Sequence, residues 1–276
     1  MVQVDEVGYA LSVIRYRNIL LGAFALACAG SFTVRAGDPS ATTAPTVVEA
    51  EQWLAQALVD ISSGRHTRGA QGAARAAGLA EQLGQPELVA RALIAEGQAL
   101  LLAGDRAQAK DRLEAAVARA RAANRPDLAA NAESDLGALY SLRGDTVAAL
   151  HEFDASFADA TAAGVEVQAL RATLNRARVL RQAGQTVAAY DTVRALTPAL
   201  MALPDSAQKL ALLTSAGQLS VPNTHARLAS PDFAAAEALL REAATLAARL
   251  GDPRGQSYAL GYASELRAAA GDDAAA

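Results

Sequence analysis

The sequence predicts an all-α protein, an array of about five and a half helical hairpins written at a 40-residue period. Three observations carry this. Gly64, Gly104, Gly144 and Gly184 stand 40 residues apart, and a second column, Gly97, Gly137, Ala177 and Gly217, keeps the same spacing. Self-similarity at such a period marks stacked supersecondary units. Within Leu88–Asp127 the apolar residues Leu93, Leu100, Leu101, Leu113, Ala116, Val117 and Ala120 fall at helical spacing, with no strand-like alternation. Ala, Leu, Arg, Gln and Glu, all strong helix formers, dominate that stretch.

Each element of the unit has a local reason. Gly104 ends the first helix, because glycine takes a left-handed C-terminal conformation at little cost. Asp105 is placed to cap the next helix. Pro126 is expected to close the second helix, as Pro86 does one repeat earlier.

The small-residue column and the aromatic positions resemble the tetratricopeptide repeat, whose pattern is W-x2-L-G-x2-Y, then A-x3-F, often followed by P. The third unit carries Leu136-Gly137-x2-Tyr140 and Ala149-x3-Phe153; the second carries Gly97-x2-Leu100 and Ala109-x3-Leu113; the fourth carries Ala177-x2-Leu180 and Ala189-x3-Val193. The resemblance covers roughly residues 48–271 and implies a right-handed α-α superhelix, a solenoid of the tetratricopeptide type. In it the small residue lets the second helix approach, and the large one fills the gap beside it. The chain departs from the pattern at the first-helix Trp, replaced by Leu93, Glu133 and Thr173, and in its period of 40 against the usual 34. A longer second helix is expected to absorb the difference.

The chain divides into a secretory signal region (1–36), a flexible spacer (37–47) and the array (48–276). Arg15 and Arg17 precede the apolar run Ile19–Ala29, a basic region followed by a short hydrophobic one, in the form of an export signal. That run is short of the roughly 20 apolar residues that span a bilayer. Val34-Arg35-Ala36 offers cleavage after Ala36. Cys28, the only cysteine, stands where a lipoprotein signal would place its lipidated residue, although Ala25 stands where that pattern prefers Leu. Export to the periplasm or beyond is the leading expectation and a lipid-anchored envelope protein the alternative. The membrane is met only through the signal or that anchor.

In the first unit Trp53, the only tryptophan, lies with Leu54, Leu58 and Ile61 and is expected to pack against the next unit; the second helix is expected over Gly69–Leu83. Phe153, Phe157 and Tyr190 are expected to stack in the core between neighbouring units. Between Gly184 and Gly271 seven extra residues accumulate, and they are assigned to a swollen turn from Ser220 to Asp232, followed by a helix over Phe233–Arg249. Insertions in such arrays go to loops. Leu250-Gly251-Asp252-Pro253-Arg254, followed by Ser257-Tyr258-Ala259-Leu260-Gly261-Tyr262, resembles the repeat region ahead of bacterial CHAT (caspase-like) protease domains. The resemblance carries over the scaffold only, since no catalytic domain follows in the sequence and Cys28 lies in the signal.

Composition narrows the function. With 52% apolar residues, 4% aromatic, net charge −4 and no basic block, the chain is a poor nucleic-acid binder. One cysteine and three scattered histidines, His66, His151 and His225, give no metal spacing. No phosphate loop or nucleophile–base constellation is present. No cofactor and no enzyme activity are expected. The expected partner is a protein or peptide, held in a concave groove lined by first helices. In unit four Arg171, Asn175, Arg178 and Gln182 recur at i, i+4, i+7 and i+11, with Asn131, Ser134, Asp135 and Ser141 added by unit three. Two guanidiniums and an amide suit a carboxylate, because Arg presents a planar fork to it.

Overall fold

The computed structural model describes residues 45–221 and 230–270. The described residues form helices α1 (Val47–Ser62), α2 (His66–Gln82), α3 (Pro86–Ala103), α4 (Arg106–Ala122), α5 (Pro126–Leu142), α6 (Thr146–Ala162), α7 (Glu166–Gln182), α8 (Thr186–Ala202), α9 (Ala207–Ser220), α10 (Ser230–Leu250) and α11 (Pro253–Ala270). Among the described residues there is no strand. The chain forms two compact units, meeting in sequence at Gly144 and Asp145. The export signal, Cys28, Ala36, the swollen turn from 222 to 229 and Gly271 onward lie outside the described residues.

The corners set the cadence. Gly64, Gly84, Gly104, Asn124, Gly144, Gly164 and Gly184 all have positive φ, one every 20 residues. At each corner where the two flanking helices belong to one unit, the residue after the left-handed one donates its N–H five residues back, for example Gln85 to Ala80, Asp105 to Leu100 and Gln185 to Leu180, at 2.9–3.0 Å. This is the Schellman closure, which satisfies carbonyls the ending helix leaves over. The 40-residue period is therefore two helices of about equal length: α4, α5, α6, α7 and α8 are 17 residues each and α3 is 18. The expected longer second helix is not found; the six extra residues are shared between both. Pro86 and Pro126 do not close the preceding helix either. They sit at the first positions of α3 and α5, where a missing N–H costs nothing, and Gly84 and Asn124 do the closing. Asp105 caps α4 as expected, accepting from the Gln108 N–H at 3.1 Å, and Asp145 caps α6 in the same way.

Unit 1 is α1–α5. Consecutive helices pack as hairpins, and α3 also touches α1 and α5. α3 and α5 are the buried layer of unit 1: α3 exposes only Pro86, Glu87, Arg91 and Ala103, and α5 exposes nothing fully, whereas α1, α2 and α4 each keep a face in solvent. The small-residue column works as expected, since a Cβ on Gly97 would lie 2.6 Å from Cγ of Leu113. α2 begins at His66, three residues before the expected start, because the corner ends at Arg65. Trp53 packs half-buried against the unit 1 core, and the Arg75 guanidinium of α2 lies 4.2 Å over its ring.

Unit 2 is α6–α11. Consecutive helices again pack as hairpins, with α9 touching both α7 and α11. A Cβ on Gly217 would lie 2.3 Å from Leu240, which repeats the fit of Gly97 on Leu113. The corner after α8 is built differently. Leu203 before Pro204 is extended. The buried Lys209 ammonium donates to the Met201 carbonyl at 3.0 Å, and Ser206 caps α9. α10 begins at Ser230, so the swollen turn is shorter than Ser220–Asp232. Of the three aromatics assigned to the core, only Phe153 is buried there. Phe157 is 46% exposed, because the inward stripe of α6 is Ala149, Phe153, Ser156 and Ala160, and Tyr190 is half-buried.

Candidate functional site: the polar faces of the odd-numbered helices

A helix buried on most sides must account for its polar side chains, and the odd-numbered helices do so by pairing them. In unit 1 the Gln98 amide of α3 donates to the Asp135 carboxylate of α5 at 2.7 Å, both buried. In unit 2 the Arg178 guanidinium of α7 donates to Asn175 on its own helix at 2.6 Å and to Ser215 of α9 at 2.7 Å. The two cross-helix bonds span the same offset of 37 residues and occupy equivalent places in the repeat. Arg181 extends the second ladder, donating to the carbonyls of Gln218 at 3.0 Å and Leu219 at 3.4 Å, and so capping the end of α9. Buried polar groups need such partners, because an unpaired one costs its full desolvation.

The expected groove residues therefore stand in different situations. Arg178 is engaged by Asn175 and Ser215, and Asn175 is 8% exposed. Arg171 is half-buried and Gln182 exposed on the same helix. In unit 1 Asn131 and Ser141 are half-buried, while Ser134 and Asp135 are buried. Arg171, Asn175, Arg178 and Gln182 share α7 in unit 2; Asn131, Ser134, Asp135 and Ser141 share α5 in unit 1.

Sequence reasoning missed a set of buried acids in unit 1. Asp60, Glu96 and Glu133 are 2%, 6% and 1% exposed, and each is met by one or two arginines whose own side chains are about half in solvent or more. Arg65 and Arg68 lie 2.7 and 3.2 Å from Asp60, Arg112 lies 3.0 Å from Glu96, and Arg121 lies 2.5 Å from Glu133. Burial pushes the Glu96 carboxyl above its ordinary value, with Arg112 pulling the other way. The signal for these pairs was an acid falling inside an apolar helical stripe. At a corner, Arg125 reaches both Asp127 and Glu87, and its hydrogen bond holds the Asp127 carboxyl below its ordinary value.

Unit 2 also holds a shallow, open surface recess, lined among others by Tyr190, Arg194, Thr197 and Ser220. Burial raises the Tyr190 hydroxyl above its ordinary value, against the pull of Arg181. Among the described residues no group of His, Cys, Asp and Glu is arranged to hold a metal, and no helix is long and apolar enough to cross a membrane.

No family model matches this chain, and no curated protein does. Solved structures do. BtubC (BKLC) from P. vanneervenii superposes with a TM-score of 0.59 over 82% of this chain and 86% of that one, at 18% identity. The nearly identical TPR-like repeats of a Podosopora anserina putative kinesin light chain superpose at 0.55, over 74% and 97%, at 14% identity. The fold is that of the tetratricopeptide-like helical repeats. A Rap protein solved in complex with Competence and Sporulation Factor gives 0.56 at 16% identity, over 82% of this chain and 66% of that chain.

Proposed function

We propose that this chain is an exported, non-catalytic tetratricopeptide-like scaffold that binds a protein or peptide partner along its odd-numbered helices. The observation that carries the reading is α7 of unit 2, where Arg171, Asn175, Arg178 and Gln182 follow one another along a helix that is otherwise packed, leaving Gln182 exposed and Arg171 half-exposed. The Rap neighbour, whose structure holds Competence and Sporulation Factor, supports a protein or peptide as the kind of partner. Arg178 positions this face through Ser215, and a carboxylate-bearing segment laid along it would contact Arg171 and Gln182. Arg171→Ala combined with Gln182→Ala is expected to weaken capture of the partner from the cell envelope while leaving the melting temperature within a few degrees. Unchanged capture would remove α7 from the interface.

Export rests on Arg15, Arg17 and the apolar run Ile19–Ala29, with release after Ala36. Cys28 favours a second reading, a lipoprotein adaptor at the envelope. Mass spectrometry of the mature N-terminus separates the two, giving Gly37 for release and a lipidated Cys28 for anchoring. The similarity of residues 250–262 to repeats ahead of CHAT domains favours a regulatory or recognition remnant of a CHAT-type protease system as the specific partner context.

A further inference from the structure

Six places before the small-residue column, one position stays open along the repeat. Counted from Ala57, Gly97, Gly137, Ala177, Gly217 and, past the insertion, Ser264, it is Glu51, Arg91, Asn131, Arg171, Ala211 and Tyr258. Glu51 and Arg91 are exposed, and Asn131, Arg171 and Ala211 are half-buried, although further helices follow each of them in the chain. Tyr258, 51% exposed, is therefore open by its place in the repeat. Within unit 2 the row runs from a guanidinium on α7, past the small Ala211 on α9, to a phenol ring on α11, and α9 touches both flanking helices.

The ladder between these helices is incomplete. Gln98 and Arg178 stand one place after the column, and each donates to a residue two places before the next column, Asp135 and Ser215. Gln218 holds that place on α9 and Tyr262 the answering one on α11. Their rung is not made: Gln218 Oε1 is buried and accepts no hydrogen bond from the described residues. An acceptor kept from water without a donor carries its full desolvation cost. Gln218 as a whole is only half-buried, so a turn of its amide brings that oxygen to a ligand N–H.

We propose that unit 2 takes its partner as an extended peptide segment crossing α7, α9 and α11, with an acidic residue at Arg171, a backbone N–H on Gln218 and an aromatic side chain against Tyr258. The place of the acidic residue rests on the function proposed above; Gln218 and Tyr258 extend it. An acid suits the planar fork of Arg, and aromatic rings gain from offset or edge contacts with one another. Packed helices lie about 8–10 Å apart, so Arg171 and Tyr258, two helices apart, are separated by about 16–20 Å. An extended chain rises about 3.3 Å per residue, which sets the acidic and aromatic residues about five or six apart.

The test uses the full 276-residue chain and labelled Ser/Gly-rich peptides, each carrying one Asp and one Phe, with their separation varied stepwise. Affinity is expected to peak at a separation of about five or six residues. Tyr258→Ala should weaken the best peptide about tenfold and remove the advantage of Phe over Ser, with the melting temperature near the parent's. Gln218→Met should weaken it about fivefold, with a melting temperature equal to or above the parent's, because an unsatisfied acceptor is removed. Arg171→Ala should remove the preference for Asp. Binding that needs Asp and Arg171 but ignores Phe, Tyr258 and Gln218 would overturn the extended-peptide assignment and leave the function proposed above standing. Binding indifferent to Arg171, or no binding of any peptide, would overturn both. A lower melting temperature for Gln218→Met would make the amide a partner within the fold and remove it from the peptide site.

Discussion

Gly97 and Leu113 meet so closely that the glycine has no room for a side chain. Gly97→Leu is therefore expected to cost about 3 kcal/mol or more, the upper end of overpacking penalties, because the backbone of α3 must move away from α4. Leu136→Ala removes a side chain that is 3% exposed and should cost about 2–5 kcal/mol, whereas Tyr140→Ala, half-buried, should cost less. Denaturant midpoints of the three variants check both statements. Glu96 and Asp127 give opposite pH signatures. Burial raises the folded-state pKa of Glu96, so its contribution is fully present below its ordinary 4.5 and is lost as pH rises through the raised value. Glu96→Gln should thus match the parent below that pH and equal or exceed it in melting temperature at pH 7. The Asp127 pKa is lowered, so its contribution is present above its ordinary 3.8 and fades as pH falls through the lowered value. Asp127→Asn should melt below the parent at pH 7, and the gap should close in acid.

At the scale of the helix, the corner is the unit of information. A left-handed residue, a cap and a Pro at the first helical positions were all written in the sequence, and residues 250–254 (LGDPR) show the same grammar: Gly251 is left-handed, Asp252 accepts from the Gly255 N–H at 2.9 Å, and Pro253 opens α11. Part of the stretch that resembles CHAT-associated repeats is thus corner chemistry. Gly104→Ala should cost about 1–2 kcal/mol from backbone strain alone, since a Cβ there meets nothing. The glycines at 64, 104, 144 and 184 were legible because one residue type recurs. The alternate set at 84, 124 and 164 was not, because Asn124 breaks the column by doing with φ 52 what glycine does elsewhere. Missing that set made Pro126 look like a terminator of α4. The ladder from Arg178 to Ser215 was out of reach for a different reason: each residue type alone reads as solvent-facing, and only placing α9 beside α7 turns them into partners.

Across the whole chain, stability in a repeat array is a sum of local and nearest-neighbour terms, so the two units need not unfold together. Trp53, the only tryptophan, reports on unit 1 alone. Leu200→Ala, a fully buried site in unit 2, is expected to lower the denaturation midpoint seen by circular dichroism by an amount worth about 2–5 kcal/mol, while the Trp53 emission transition moves less. Identical shifts in both signals would mean that the chain unfolds as one cooperative block.

The even cadence of corners also bears on how such a chain changes length. Excising forty residues between two like corners joins a helix to another of its own kind, with the same face inward and the same joint geometry. Excising twenty puts a polar-faced helix into a slot that buries nearly everything. Recombination among such copies is thus tolerated in pairs of helices and punished in singles.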